Sequence, residues 1–185
     1  MSDSPLDAER AHLAGLLEAI HRCVYFLDAA DHRQAWPLSG EGLATHKKDV
    51  PLFESLAAMN ERFAKLQDTL GAAMRHAALL AGERGDTFLR ILAFYEKIAV
   101  IESIEEWQLC RTTRNLAAHD YETDYTEIAE HFNSLHTLIP HLYGTAGRFL
   151  RYCQGALGVM PDPGDFAGEF AAIVGPACSS LNPDA

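Results

Sequence analysis

A chain of 185 residues with 48% apolar and 22% charged residues is large enough for one domain with a real core, and too apolar to be disordered. Its formal net charge of −11 excludes a broad electropositive surface for duplex DNA or anionic lipid, although a local basic pocket stays open to it. No apolar run reaches the length of a membrane span, and the acidic start Met1-Ser2-Asp3-Ser4-Pro5 lacks a signal-peptide pattern, so the expected location is the cytoplasm.

The first predicted helix runs from about Leu6 to Ala30. Leu13, Leu16, Leu17, Ile20, Val24 and Leu27 recur at steps of three and four and form one apolar stripe. Pro37, Gly40 and Gly42 make the segment from Asp31 to Val50 a predicted loop, and Pro51 suits the first turn of the next helix. That second helix is expected from Pro51 to Gly82, with Leu52, Leu56, Met59, Phe63, Leu66, Leu70 and Ala73 as its seam. A third begins near Asp86 and carries Phe88, Ile91, Leu92, Tyr95 and Ile98. It is expected to break near Val100 to Glu102 and to restart at the capping box Ser103-Ile104-Glu105-Glu106, continuing through Trp107 and Cys110.

The last long helix is predicted from Tyr125 to Gly155, with Ile128, Phe132, Leu135, Ile139, Leu142, Ala146, Phe149 and Cys153 on one face and a kink at Pro140. Prolines and glycines crowd the chain after Gly158, so residues 158–185 read as a tail, either a short helix or disordered. Four long amphipathic segments without a convincing strand argue for an all-α fold, an antiparallel up-and-down four-helix bundle over residues 1–157. Seams this narrow also suit pairing between subunits, so a homodimer is expected.

The four cysteines, Cys23, Cys110, Cys153 and Cys178, include no C-x-x-C pair and read as small apolar residues. His131, His136 and His141 recur every five residues, whereas ligands on one helix face want three or four. They read as surface or interface histidines, and the sequence predicts neither a metal site nor a cofactor.

The densest collection of chemistry is Trp107-Gln108-Leu109-Cys110-Arg111-Thr112-Thr113-Arg114-Asn115-Leu116-Ala117-Ala118-His119-Asp120-Tyr121. Arg111, Asn115 and His119 fall at i, i+4 and i+8, along one slowly drifting helix face. Arg114 precedes His119 by five residues, which on an ideal helix turns the two well apart. They meet only if the helix frays or the arginine bends across.

Arg114, four residues, His119, one residue and Tyr121 together resemble the R-x4-H-x-Y motif of HEPN proteins, the helical partners of minimal nucleotidyltransferases in prokaryotic toxin–antitoxin pairs. Phe94-Tyr95-Glu96-Lys97, Glu105-Glu106-Trp107 and Arg111-Thr112-Thr113-Arg114-Asn115 are similar to that family's helix before the motif, and Arg62-Phe63-Ala64-Lys65-Leu66-Gln67-Asp68 to its second helix. The resemblance spans roughly Leu6 to Leu157 and leaves out the tail.

It implies a metal-independent endoribonuclease, a homodimer, and a cleft between subunits built from two motif copies. It also implies RNA as substrate and a cognate nucleotidyltransferase as antitoxin. Cleavage of RNA by its own 2′-hydroxyl needs a base near neutrality, which suits His119, and a fixed cation where charge builds on phosphate, which suits Arg114. Asn115 would orient His119 or donate to phosphate, and Arg111 itself reads as either solvated or facing phosphate. Tyr121 corresponds to the tyrosine that the partner adenylylates, which would block the pocket by bulk and charge.

Plainer roles stay open for the same residues. Arg114 could close the bundle's end by pairing with Glu105, Glu106 or Asp120, and Tyr121 could simply pack its ring with its hydroxyl in water. The acidic Asp120, Glu122 and Asp124 weaken local attraction for RNA. A non-catalytic subunit that docks a nucleotidyltransferase or presents substrate to it is therefore the competing function, and a purely structural helical adaptor is a third.

Overall fold

The computed structural model describes residues 5–83, 86–116 and 124–180, and these hold seven α-helices and no strand. Helix α1 (Pro5–Asp31) buries the stripe expected of it: Leu13, Leu17, Ile20, Val24 and Leu27 are fully buried, and Leu16 packs at the edge. Its main partner is α3 (Val50–Leu80), which contributes Leu56, Met59, Phe63, Leu66, Leu70 and Met74 to the same core. Asp49 caps α3 by accepting from Leu52 N–H, and Pro51 occupies its first turn. The helix stops one residue short of the cap Ala81. Gly82, at φ 76°, supplies the left-handed residue, and Gly82 and Glu83 N–H return to the carbonyls of Leu79 and Ala78.

The segment from Asp31 to Val50 departs from the expectation of a loop throughout. It contains α2 (Gly40–Thr45), whose N-cap Ser39 accepts from Gly42 N–H and whose Leu43 is buried. The signal read as a break, two glycines after a proline, is here a capped helical turn. Gly40 is required because α2 crosses α6 closely: a Cβ there would lie 2.8 Å from Thr126 Cα. Asn133 clamps the preceding strand of chain, accepting from Leu38 N–H at 2.8 Å and donating to Leu38 carbonyl at 2.9 Å.

Helix α4 (Phe88–Lys97) starts at Thr87, whose hydroxyl accepts from Arg90 N–H, and buries Ile91, Leu92 and Tyr95. The Tyr95 hydroxyl donates to Met74 carbonyl, which ties α4 to α3. The break falls where expected, and α5 (Ile104–Leu116) follows it. Ser103 accepts from Glu106 N–H as the capping box requires, while the Glu106 carboxylate turns to His141 and Glu96 Oε1 takes the separate Ile104 N–H.

Helix α6 (Tyr125–Tyr152) continues past Pro140 and buries Phe132, Leu135, Ile139, Leu142, Ala146 and Phe149. A π-helical turn at Cys153–Leu157 ends it, closed by Gly158 at φ 64° and by Arg10, which donates to Leu157 carbonyl. The tail then folds back: Asp162 N–H donates to Ala14 carbonyl, and α7 (Ala167–Ser180) packs on α1 and α6 with Phe170 and Val174 buried. No helix of the described residues is long and apolar enough to cross a membrane.

Candidate functional site

Arg114 lies in the last turn of α5 and turns toward α3. Its guanidinium donates to Ala64 carbonyl at 2.7 Å and pairs with Asp68 at 2.8 Å. The side chain is 12% exposed, so the charge is fixed by protein and only its edge meets solvent. Asp68 is the counter-ion. The sequence offered Glu105, Glu106 and Asp120 for that role, but Glu106 faces α6 and pairs with His141. The spacing within α5 could not reveal a partner supplied by another helix.

Around Arg114 a pocket opens between α3, α4 and α5, lined by Gln67, Asp68, Arg75, Phe88, Trp107 and Arg111. Gln67 is 2% exposed and donates its amide to Trp107 carbonyl at 2.8 Å. Its Oε1 and the Nε of Arg114 are both buried without a hydrogen-bond partner. Each such unmet group costs roughly 1–3 kcal/mol. Arg75 stacks over Phe88 with its guanidinium carbon 4.1 Å from the ring centre, and Phe88 meets Trp107 edge-on. Arg111 and Asn115 are exposed on α5. Three arginines against one carboxylate make this pocket locally basic despite the overall charge.

The structure thus brings Arg111 and Arg114 to one pocket and adds Gln67, Asp68 and Arg75, to which the sequence assigned no chemical role. Gln67 and Asp68 stood out only through their match to a family helix. Arg75 gave no signal at all, because its place follows from the packing of α3 against α4. His119, Tyr121 and Asp120 lie outside the described residues.

Trp107 is 5% exposed, as a core anchor should be. Cys110 and Cys153 are buried, and burial pushes both thiols up to about 12, so they behave as small apolar groups. His136 donates to Asp31 at 2.7 Å and stacks flat on Trp36. His131 approaches Asn60, and burial lowers its pKa. Glu106 is held above the usual carboxylate range, first by burial and then by the neighbouring Glu102. Compared with family models, with curated proteins and with solved structures, the chain finds no match in any of the three.

Proposed function

We propose that this chain is a HEPN-type endoribonuclease that needs no metal for cleavage, works as a homodimer, and is held in check by a partner nucleotidyltransferase that adenylylates Tyr121. In this reading α1, α3, the α4–α5 pair and α6 are the four members of an antiparallel bundle. The observation that carries the proposal is the fixed Arg114 guanidinium, held by Ala64 and Asp68 beside Arg111 and Arg75. A pre-positioned cation costs no reorganisation when charge develops on a phosphate. The parts of His119 and Tyr121 rest on the motif R-x4-H-x-Y in the sequence.

The reaction follows from these groups. His119 takes the proton of the ribose 2′-hydroxyl, the 2′-oxygen bonds to phosphorus, and the bond to the 5′-oxygen breaks; that oxygen takes a proton from water, and His119 returns its own to solvent. Arg114 stabilises the extra negative charge on the phosphoryl oxygens, and Asn115 orients His119. The products are a 2′,3′-cyclic phosphate and a free 5′-hydroxyl.

The second reading, a non-catalytic subunit that docks a nucleotidyltransferase, draws support from the Asp68 pair, which already compensates Arg114, and from the net charge of −11. Incubating purified protein with RNA in EDTA, beside His119→Ala and Arg114→Ala, separates the two. We expect cleavage by the parent and a loss of about 10²–10³-fold in each variant. No cleavage by a protein shown by mass spectrometry to carry no adduct on Tyr121 would leave the docking subunit as the function.

A further inference from the structure

A second cluster lies on the other side of Trp107, where α5 meets α6. Glu102, at the junction before α5, Glu106 in the first turn of α5, and His141 in the middle of α6 each bring one donor atom into the cluster, and these atoms all lie within 4.8 Å of one another. We propose that Glu102, Glu106 and His141 bind one divalent transition-metal ion, with Zn2+ the best-matched species.

The donor set supports this first. One imidazole and two carboxylates suit a borderline ion such as Zn2+, which takes nitrogen and oxygen ligands at about 2.0–2.2 Å. Donors on one such ion stand roughly 3–4 Å apart; His141 Nδ1 and Glu102 Oε2, at 3.7 Å, already do, and Glu106 Oε1, in contact with Nδ1, would draw back by a side-chain rotation. Magnesium prefers oxygen ligands and retains its waters, so an imidazole ligand argues against it.

The burial of the His141 ring nitrogen supports it as well. Its Nδ1 lies 3.7 Å from Glu102 Oε2 and in contact with Glu106 Oε1, yet it is buried and makes no hydrogen bond.

The surroundings fit as well. Arg148 donates to Val100 carbonyl at 2.9 Å and reaches the other oxygen of Glu102 at 3.5 Å, which fixes that carboxylate and leaves Oε2 free to ligate. Beside Glu106 and His141 a cavity of about 10 Å³, lined also by Ser103 and Thr145, gives the room of one water. A water there would complete a four-coordinate shell. The ion would pin the α4–α5 junction to α6 and so hold the far side of the helix that carries Arg114.

Spacing within one helix cannot announce this site, because its ligands come from a junction and two helices. The test is a calorimetric titration of Zn2+ into the full chain under reducing conditions, beside Glu102→Gln, Glu106→Gln and His141→Gln. The parent should take up one Zn2+ that excess Mg2+ does not displace, and each substitution should weaken binding by more than roughly tenfold. Zn2+ should also raise the melting temperature of the parent and leave that of His141→Gln unmoved. Glu102 is exposed, so its variant keeps the fold and serves as the check should the other two fail to fold. Unchanged Zn2+ affinity in Glu102→Gln would overturn the assignment, as would a parent without micromolar affinity; the cluster would then be an ion-pair network alone. Neither readout involves RNA, so the result stands apart from the ribonuclease reading.

Discussion

Ala99 occupies a left-handed position, at φ 55°, that usually falls to glycine. It is the residue after the cap of α4: Ala99 N–H donates to Glu96 carbonyl, and Val100 N–H to Tyr95 carbonyl, which is the Schellman arrangement. Val100 and Tyr95, the positions of the apolar contact that accompanies such a turn, are both buried. The left-handed turn costs a residue with a Cβ roughly 1–2 kcal/mol, and a glycine gives back about 0.4–1 kcal/mol in unfolded-state entropy. Ala99→Gly should therefore raise stability by up to about 1 kcal/mol, and Ala99→Val should lower it. Urea denaturation of both variants checks the pair, and a destabilised glycine variant would contradict the turn. Composition hid this stop, because the sequence presents alanine where a glycine would have announced the helix end. The same limit applied to the site. Arg114 and Arg111 were legible from their neighbours in the chain, but Asp68, Gln67 and Arg75 belong to α3 and reach the pocket only through packing. The Glu102–Glu106–His141 cluster spans some forty positions of sequence, which local spacing cannot bridge.

Among the elements, α1, α3 and α6 were legible almost residue for residue, since an apolar face with steps of three and four leaves little choice of structure. The stripe positions Leu13, Leu17, Phe63, Leu70, Leu135 and Phe149 are all fully buried. Helix α2 was not legible: its glycines and nearby proline carry the statistics of a turn, and its formation depends on contact with α6. That contact gives a prediction with a definite sign. In a free helix Gly→Ala gains about 0.5–1 kcal/mol. At Gly40 the new Cβ would meet the backbone nitrogen and Cα of Thr126 at 2.9 and 2.8 Å, atoms that cannot swing aside. Gly40→Ala should instead lose about 1–3 kcal/mol as α2 is pushed off α6. Thermal unfolding would read this directly, and a gain in stability would mean that α2 moves freely over α6.

Across the whole molecule, acid sensitivity follows from buried imidazoles. His21 is 7% exposed and lies with its ring 4.3 Å from that of Phe170. Burial lowers its pKa, with Glu18 opposing in part, and burial alone lowers that of His131. A lowered pKa means that the unfolded chain binds the proton more readily. Stability from these groups is therefore present above the unfolded value of about 6.5 and is lost as pH falls from there through the folded values. Asp28 and Glu106, raised by burial, run in the opposite sense, so the histidine contribution is isolated by difference. Between about pH 7.5 and pH 5.5 the parent should lose more melting temperature than His21→Phe. Parallel curves for the two proteins would show that His21 does not couple folding to protons.

The return of the chain after Gly158 has a practical consequence. Val159, Phe170 and Val174 are buried, and Phe166 meets the rings of Tyr25 and Phe26, so the segment beyond the last long helix completes the wall of α1. A protein trimmed at Leu157 would expose a greasy stripe along α1 and lose the neighbour of His21. Such a truncate is a candidate for sticking to itself, to chromatography resin and to fluorescent hydrophobic dyes. Any activity assay made on it would report on an aggregate as much as on the folded chain.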